Sequence, residues 1–255
     1  MIVLFRSCEA NISPGSLGDS TNVKPRWNGK FKGEILRKCY KSIQAGLTRN
    51  DTIIIVNDKT SEETLEWMAD NTEANFEVVN IQPLAEIIAT HKYPDYHPVI
   101  ANGCEDMMEL LVVIAEEHPN EIIYVCEDDY LHQPHAISYI KSLYATEYKG
   151  FYIPQDYPDR YSIDRSRACE LYIHDNVHLR TIPSATLTMA TLGSTWARFK
   201  IDLLRAGVFA DDSWTYKAFK LVEGVSPVPG HSTHLQENCI TPCVNWEAVY
   251  NNITI

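Results

Sequence analysis

Three consecutive carboxylates, Glu127, Asp128 and Asp129, follow the apolar run Ile122-Ile-Tyr-Val-Cys126. Adjacent acids repel one another unless a cation neutralises them, and hard divalent cations take carboxylate and phosphate oxygens together with water. An acidic turn after a strand, or Asp128 capping a following helix, is the plainer reading. Pro229-Gly-His-Ser-Thr-His234 adds two imidazoles, His231 and His234, in a Gly/Pro loop that can turn a ligand towards a site or simply expose it. Asp211-Asp212 precede a helix pattern and read either as a cap or as a general base for an acceptor hydroxyl. Asp58 follows Ile53-Ile-Ile-Val-Asn57, where it can meet a nucleoside or cap the helix that starts near Thr60. Arg6, at the end of the first apolar run, is placed to meet a phosphate or base.

These residues need a scaffold that brings strand ends together. Residues 2–5, 52–56, 76–81 and 122–126 are short apolar runs, and 52–56 and 122–126 read as strands buried on both faces. Between them, residues 31–47 and 105–116 carry apolar positions at helical spacing, and Thr60-Ser-Glu-Glu marks a helix start with a hydroxyl cap and acids in its first turn. A further helix is predicted over 135–144. The alternation predicts an α/β protein with a parallel sheet, flanking helices and right-handed crossovers. Ligands then bind beyond the carboxyl ends of the strands, where the three acids stand.

After Gly150 the rhythm changes. Residues 151–153, 170–173, 178–182 and 185–189 are short strand-like pieces, which predict a smaller antiparallel subregion. Helices are expected over 195–204 and 212–222, and a loop with a terminal tail from Ser226 onwards. The simplest organisation is one domain over 1–255, with a nucleotide-binding half at 1–132 and an acceptor-side half at 133–255.

The chain has 255 residues, 45% hydrophobic and 22% charged, with a formal charge of −12. That balance argues against a generic nucleic-acid coating protein. No apolar run is long enough to span a membrane. Seven scattered cysteines with no C-x-x-C pair point to a reducing, cytoplasmic setting. Phosphate-loop, dinucleotide and serine-hydrolase signatures are absent from the sequence, so a bound diphosphate would need metal and basic side chains.

Taken in order, these motifs resemble glycosyltransferases of the GT-A fold, whose D-x-D-like acids follow a buried strand. Tyr124-Val-Cys-Glu-Asp-Asp-Tyr-Leu-His132 is similar to the VEDDYLH segment of a branch found in bacteria and phages. Asp156-Tyr-Pro-Asp-Arg-Tyr161, His178-Leu-Arg-Thr-Ile-Pro-Ser184, Pro229-Gly-His-Ser-Thr-His234 and Pro242-Cys-Val-Asn-Trp246 extend the similarity over most of the chain. The resemblance implies a nucleotide-sugar donor, UDP-type favoured, whose diphosphate is bridged by Mn²⁺ or Mg²⁺. Asp129 would be the direct ligand, Glu127 would reach the metal or its water and the ribose, and Asp128 the donor sugar. His234 would be a further ligand, and Arg6, Asp58 and Arg180 donor contacts. Asp211 or Asp212 would supply the base of an inverting transfer.

The acceptor is read from charge. Between Lys24 and Lys41 stand seven bases (Lys24, Arg26, Lys30, Lys32, Arg37, Lys38 and Lys41) against the single acid Glu34, and Arg160, Arg165 and Arg167 form a second basic spot. Such concentration can steer a polyanion, and the acceptor is expected to be a glycan or a hydroxymethylated base in phage DNA. The plainer reading is that these bases hold the donor and solvate a helix. Two other classes use the same parts: a metal-dependent nucleotidyltransferase, with Ser13-Pro-Gly-Ser-Leu-Gly18 as a poor phosphate loop, and a non-catalytic carbohydrate-binding protein.

Overall fold

The structure, a computed structural model, describes residues 1–9, 27–80, 104–161, 169–186, 188–209 and 213–255. Four parallel strands form its first part: β1 (Ile2–Ser7), β2 (Thr52–Asn57), β3 (Asn75–Asn80) and β4 (Ile122–Glu127), in the order β3-β2-β1-β4. Helix α1 (Lys32–Gln44) joins β1 to β2, and α2 (Glu62–Asp70) joins β2 to β3. Alternation along the strands sends Val3, Phe5, Ile53 and Ile55 to the face covered by Leu36, Tyr40 and Ile43 of α1. Ile2, Leu4, Ile54 and Val56 face the other way, towards Met107, Met108 and Leu111 of α3 (Cys104–Glu117). Burial on both faces is why these strands read as continuous apolar runs.

The chain moves outwards from β1 to β2 and β3, then returns to lay β4 on the other side of β1. The order therefore reverses between β1 and β4, the switch point beyond whose carboxyl ends open α/β sheets place their ligands. The helix α2 is capped by Ser61, whose hydroxyl accepts from the Thr64 amide, one residue later than the sequence suggests. Thr60 instead bonds Ser7 through the two hydroxyls, 2.6 Å apart.

Past β4 the sheet continues as β9 (Met189–Leu192), β6 (Phe151–Tyr152), β10 (Gly224–Val228), β8 (Val177–Thr181) and β7 (Leu171–His174). The expected antiparallel subregion is this mixed extension of the main sheet, so strands from both halves of the chain share one layer. The β7–β8 hairpin turns on Asp175 and Asn176, both left-handed at φ 47° and 62°, the geometry a two-residue hairpin loop needs. The strand expected over 185–189 begins at Met189. The single helix expected over 195–204 is two, α5 (Gly193–Arg198) and α6 (Lys200–Phe209), separated at Phe199. Helix α4 (Ala136–Tyr144) lies on the α1 face, while α5, α6 and α7 (Ser213–Leu221) cover the α3 face with Trp196, Leu203 and Trp214.

The largest correction concerns the C-terminal stretch. The expected loop contains β10, in the interior of the sheet, then β11 (Ser232–His234) and α8 (Trp246–Asn251). Pro227 sits in β10 opposite Leu179 of β8, beyond the point where β6 pairs with β10 at Gly224 and Val225, so its missing N–H costs the ladder little. The strand β11 runs antiparallel to β5 (Tyr130–His132), and these two form a separate ribbon. Leu131, Leu235, Trp246 and Tyr250 pack with Ile35 and Cys39 of α1 in a third apolar cluster. Lys38 of α1 donates to the carbonyls of Tyr250 and Ile253, each at 2.9 Å, and fixes the end of α8. Among the described residues no helix is long and apolar enough to cross a membrane.

Candidate functional site

The three acids occupy the point where the chain leaves the large sheet. Glu127 ends β4, Asp128 and Asp129 make the turn, and β5 follows at once, so no helix starts here for Asp128 to cap. Each acid has its own partner. Glu127 Oε1 is 3.3 Å from Arg6 Nη1, across the β1–β4 boundary. Asp128 turns the other way: its Oδ2 accepts from the Cys8 amide at 2.7 Å and lies 3.2 Å from Lys32 Nζ. Asp129 Oδ2 lies 3.2 Å from His234 Nε2. Burial and the Asp129 charge push the Glu127 carboxyl above its usual range, against the pull of Arg6 and His234.

The two histidines of the Gly/Pro segment part company. His234, opposite Tyr130 in the ribbon, stacks its ring on the Tyr130 ring at 4.8 Å and faces Asp129. His231 is buried among Tyr152, Tyr139 and His135, with Nδ1 2.7 Å from the Tyr152 hydroxyl, and burial pulls its pKa down to about 3. It therefore belongs to the core beneath the ribbon.

Asp58 follows β2 on the same edge. It is 8% exposed, its amide donates to the Ser7 carbonyl, and its Oδ2 is buried with no hydrogen-bond partner. The cap of α2 is Ser61, so the capping role expected as the alternative for Asp58 is not the one the fold uses. Asp211 and Asp212 lie outside the described residues, as do Lys24, Arg26, Arg165, Arg167 and the Ser13–Gly18 segment.

The described bases of the 24–41 segment are engaged locally. Lys30 pairs with Glu34, Arg37 reaches Glu63 and Thr64, Lys41 donates to Asn71, and Lys38 holds α8. Lys32, counted in the sequence only as part of a basic stretch, is the cation of the acidic turn; only the folded approach of α1 to that turn identifies it.

Arg180 is five places along the sheet from β1, on β8, where it pairs with Asp156. Asp156 is fully buried, and the Tyr161 hydroxyl donates to its other oxygen. Burial raises its carboxyl despite those two donors. Arg160 lies over the Tyr157 ring at 4.9 Å and donates to the Ser184 carbonyl at 2.9 Å. The Tyr157 and Tyr130 hydroxyls are 3.4 Å apart, and both contact Thr186. The Tyr130–Tyr157 contact thus connects the acidic turn with a second polar cluster, whose sequence signal was the Asp156–Tyr161 motif.

Among the described residues no three or more His, Cys, Asp and Glu side chains gather as a metal cage. Asp129 and His234 present an oxygen and a nitrogen to one point, while Glu127 is turned to Arg6. A two-donor set of this kind fits a Mn²⁺ or Mg²⁺ ion that keeps phosphate and water in its remaining positions.

A scan against protein-family models finds no match, and a search of curated proteins finds none. Among solved structures, the chain is similar to a Bacillus anthracis protein assigned as a glucose-1-phosphate thymidylyltransferase in complex with a sucrose. The TM-score there is 0.48 at 11% identity, covering 100% of this chain and 96% of that one. It is similar to mouse xyloside xylosyltransferase 1 in its apo form at 0.39 and 11% identity, over 93% of this chain and 78% of that one. A third is 4-diphosphocytidyl-2C-methyl-D-erythritol synthase from Anaerococcus prevotii, at 0.41 and 12% identity, over 98% and 93%. At identities and scores this low, activity must be read from this chain's own residues.

Proposed function

We propose that this chain is a GT-A-type glycosyltransferase that moves a sugar from a nucleoside-diphosphate sugar, UDP-type favoured, to an acceptor hydroxyl on a glycan or a hydroxymethylated DNA base. One observation carries the reading: at the β1–β4 switch point stand three acids with three separate cationic or imidazole partners, and Asp58, just past the end of β2 beside β1, keeps a buried Oδ2 with no hydrogen-bond partner. Donor diphosphates bind at such switch points, and this one offers both positive side chains and a metal-suited pair of donors.

In this reading Asp58 accepts hydrogen bonds from the nucleoside, and Arg6 turns part of its charge from Glu127 to phosphate. Lys32 pairs with Asp128, whose carboxylate accepts from the donor-sugar hydroxyls. Asp129 and His234 would hold a divalent ion, which when bound would supply Lewis-acid neutralisation of the charge on the leaving diphosphate. Asp211 or Asp212 takes the acceptor proton as the hydroxyl oxygen bonds to the anomeric carbon, and the bond to the diphosphate oxygen breaks with its electron pair staying on that oxygen. A base opposite the leaving group gives inversion.

The test is a calorimetric screen of UDP-, GDP-, CDP- and dTDP-sugars with Mn²⁺ and with EDTA, followed by product analysis. Metal-dependent binding of a nucleotide sugar and release of free nucleoside diphosphate are expected. Pyrophosphate release would assign a nucleotidyltransferase instead. Sugar binding with no donor turnover, unaffected by changing both Asp211 and Asp212 to Asn, would leave a carbohydrate-binding protein.

A further inference from the structure

We infer that Arg160 and Arg180 form a seat for an oxyanion, a phosphate or carboxylate group carried by the acceptor. The inference rests on reading the acidic turn as the donor site, and it names the chemistry of the molecule that meets the donor there.

Both guanidinium groups are pinned. Arg160 lies over the Tyr157 ring and uses Nη2 on the Ser184 carbonyl. Arg180 lies over the Tyr161 ring at 5.0 Å and uses Nη2 on Asp156. Each oxygen of the acid beside them already has a donor: Asp156 Oδ1 takes Arg180, and Oδ2 takes the Tyr161 hydroxyl. Yet Nη1 of Arg160 and Nε of Arg180 are both buried with no hydrogen-bond acceptor. Buried donors without acceptors are rare in folded proteins, and two on neighbouring arginines call for an ion or ligand group. Burial and the charge of Arg180 bring Arg160 down to about 10, outweighing the opposite pull of Tyr157, Asp156 and Asp159. An oxyanion relieves both costs: it accepts a charge-assisted hydrogen bond from the idle nitrogen of each arginine and offsets the charge.

The position selects the acceptor over the donor. Among the described residues Arg6 and Lys32 are the bases that pair with the acidic turn, whereas the arginine pair belongs to the second half of the chain. It reaches the acidic turn through Tyr157 and Tyr130, the latter stacked on His234. A sugar transferred at Asp129 would therefore meet an acceptor whose charged group lies on the Tyr157 side.

The test is calorimetric titration of the full chain with inorganic phosphate in one arm and acetate in the other, repeated after saturation with UDP and Mn²⁺. Binding of one of the two anions, weakened at least roughly tenfold in Arg160→Gln and kept in Asp129→Asn, is expected. UDP–Mn²⁺ affinity should show the opposite pattern. Phosphate binding alone names a phosphorylated acceptor, and acetate binding alone a carboxylated one. Should Arg160→Gln fail to fold by circular dichroism, Arg160→Lys keeps the charge and loses the fixed Nη1 donor, and a weakened anion affinity is again expected. If UDP–Mn²⁺ does not bind but the anion pattern holds, the donor reading falls and the seat stands. The seat is overturned if neither anion binds, or if binding survives the Arg160 change, or if it disappears with Asp129→Asn instead.

Discussion

His234 Nε2 lies 3.2 Å from Asp129 Oδ2, and the contact exists because β11 is laid along β5 with His234 opposite Tyr130. An imidazole and a carboxylate brought together from distant parts of the chain make a donor pair that neither segment holds alone. Asp129→Asn and His234→Ala are each expected to weaken Mn²⁺-dependent UDP binding by at least roughly tenfold, about 1.4 kcal/mol. Calorimetry with and without EDTA checks this, and equal affinity in EDTA would remove the metal from the proposal.

Asp58 separates function from stability. A buried carboxylate oxygen with no partner costs folding free energy, which a site tolerates when a ligand supplies the missing donor. Asp58→Asn is expected to leave the melting temperature unchanged or higher while weakening UDP at least roughly tenfold. A lower melting temperature with unchanged UDP affinity would make Asp58 a purely structural residue.

Lys32 and Asp128 form a buried pair, their side chains 9% and 8% exposed. Removing one member of such a pair leaves a charge that burial has already stripped of water. Lys32→Ala is expected to destabilise the fold by about 3 kcal/mol in urea denaturation. The double change Lys32→Met with Asp128→Asn should recover much of that loss, because it removes both charges at once. A double variant no more stable than Lys32→Ala would contradict this account.

Acid should unfold this protein early. Burial holds His132 and His231 at about 3, against 6.5 when exposed, so both are neutral in the fold and take up protons on unfolding. Their contribution is complete above about 6.5 and declines as pH falls towards 3, with a slope of up to about 1.4 kcal/mol per pH unit for each. Urea midpoints measured at intervals from pH 7.5 to 5 should fall, and the fall should be shallower in His231→Gln. A flat profile over that window would show that neither imidazole is kept neutral.

Trp246 is 2% exposed and packs with Leu131 and Leu235, which flank the Asp129–His234 contact along the ribbon. Trp246→Ala is expected to cost about 3–5 kcal/mol and to weaken UDP–Mn²⁺ binding, although Trp246 lies outside the donor pair. Equilibrium denaturation and calorimetry on the same variant read both effects.

The first four sheet strands and the helices between them were legible because β1, β2 and β4 are buried on both faces, the exposed edge strand β3 still carries Phe76, Val78 and Val79, and each helix carries one apolar stripe. The placement of the acids at strand ends followed from that pattern alone. β10 was not legible: Gly-Val-Ser-Pro-Val lacks an apolar run, and only its pairing with β8 and β6 makes it a strand. His234 could be marked as a candidate from its residue type, but not told apart from His231. That distinction depends on which ring the β5–β11 pairing turns outwards, a long-range fact. Lys32 was hidden for the same reason, since its partner acid stands far along the chain. Arg180 was expected beside the donor, but the sheet order places it on β8 against Asp156, because strand adjacency does not follow chain order.

The β5–β11 ribbon hydrogen-bonds as its own two-stranded unit, apart from the nine-stranded sheet, and the Asp128–Asp129 turn is its junction with β4. Asp129 and His234 therefore travel with the ribbon, while Glu127 and Arg6 are anchored to the sheet. Any rocking about that corner would carry the first pair as a jaw against a fixed counterpart, altering the gap between Asp129 and Glu127 while leaving the spacing of Asp129 and His234 intact.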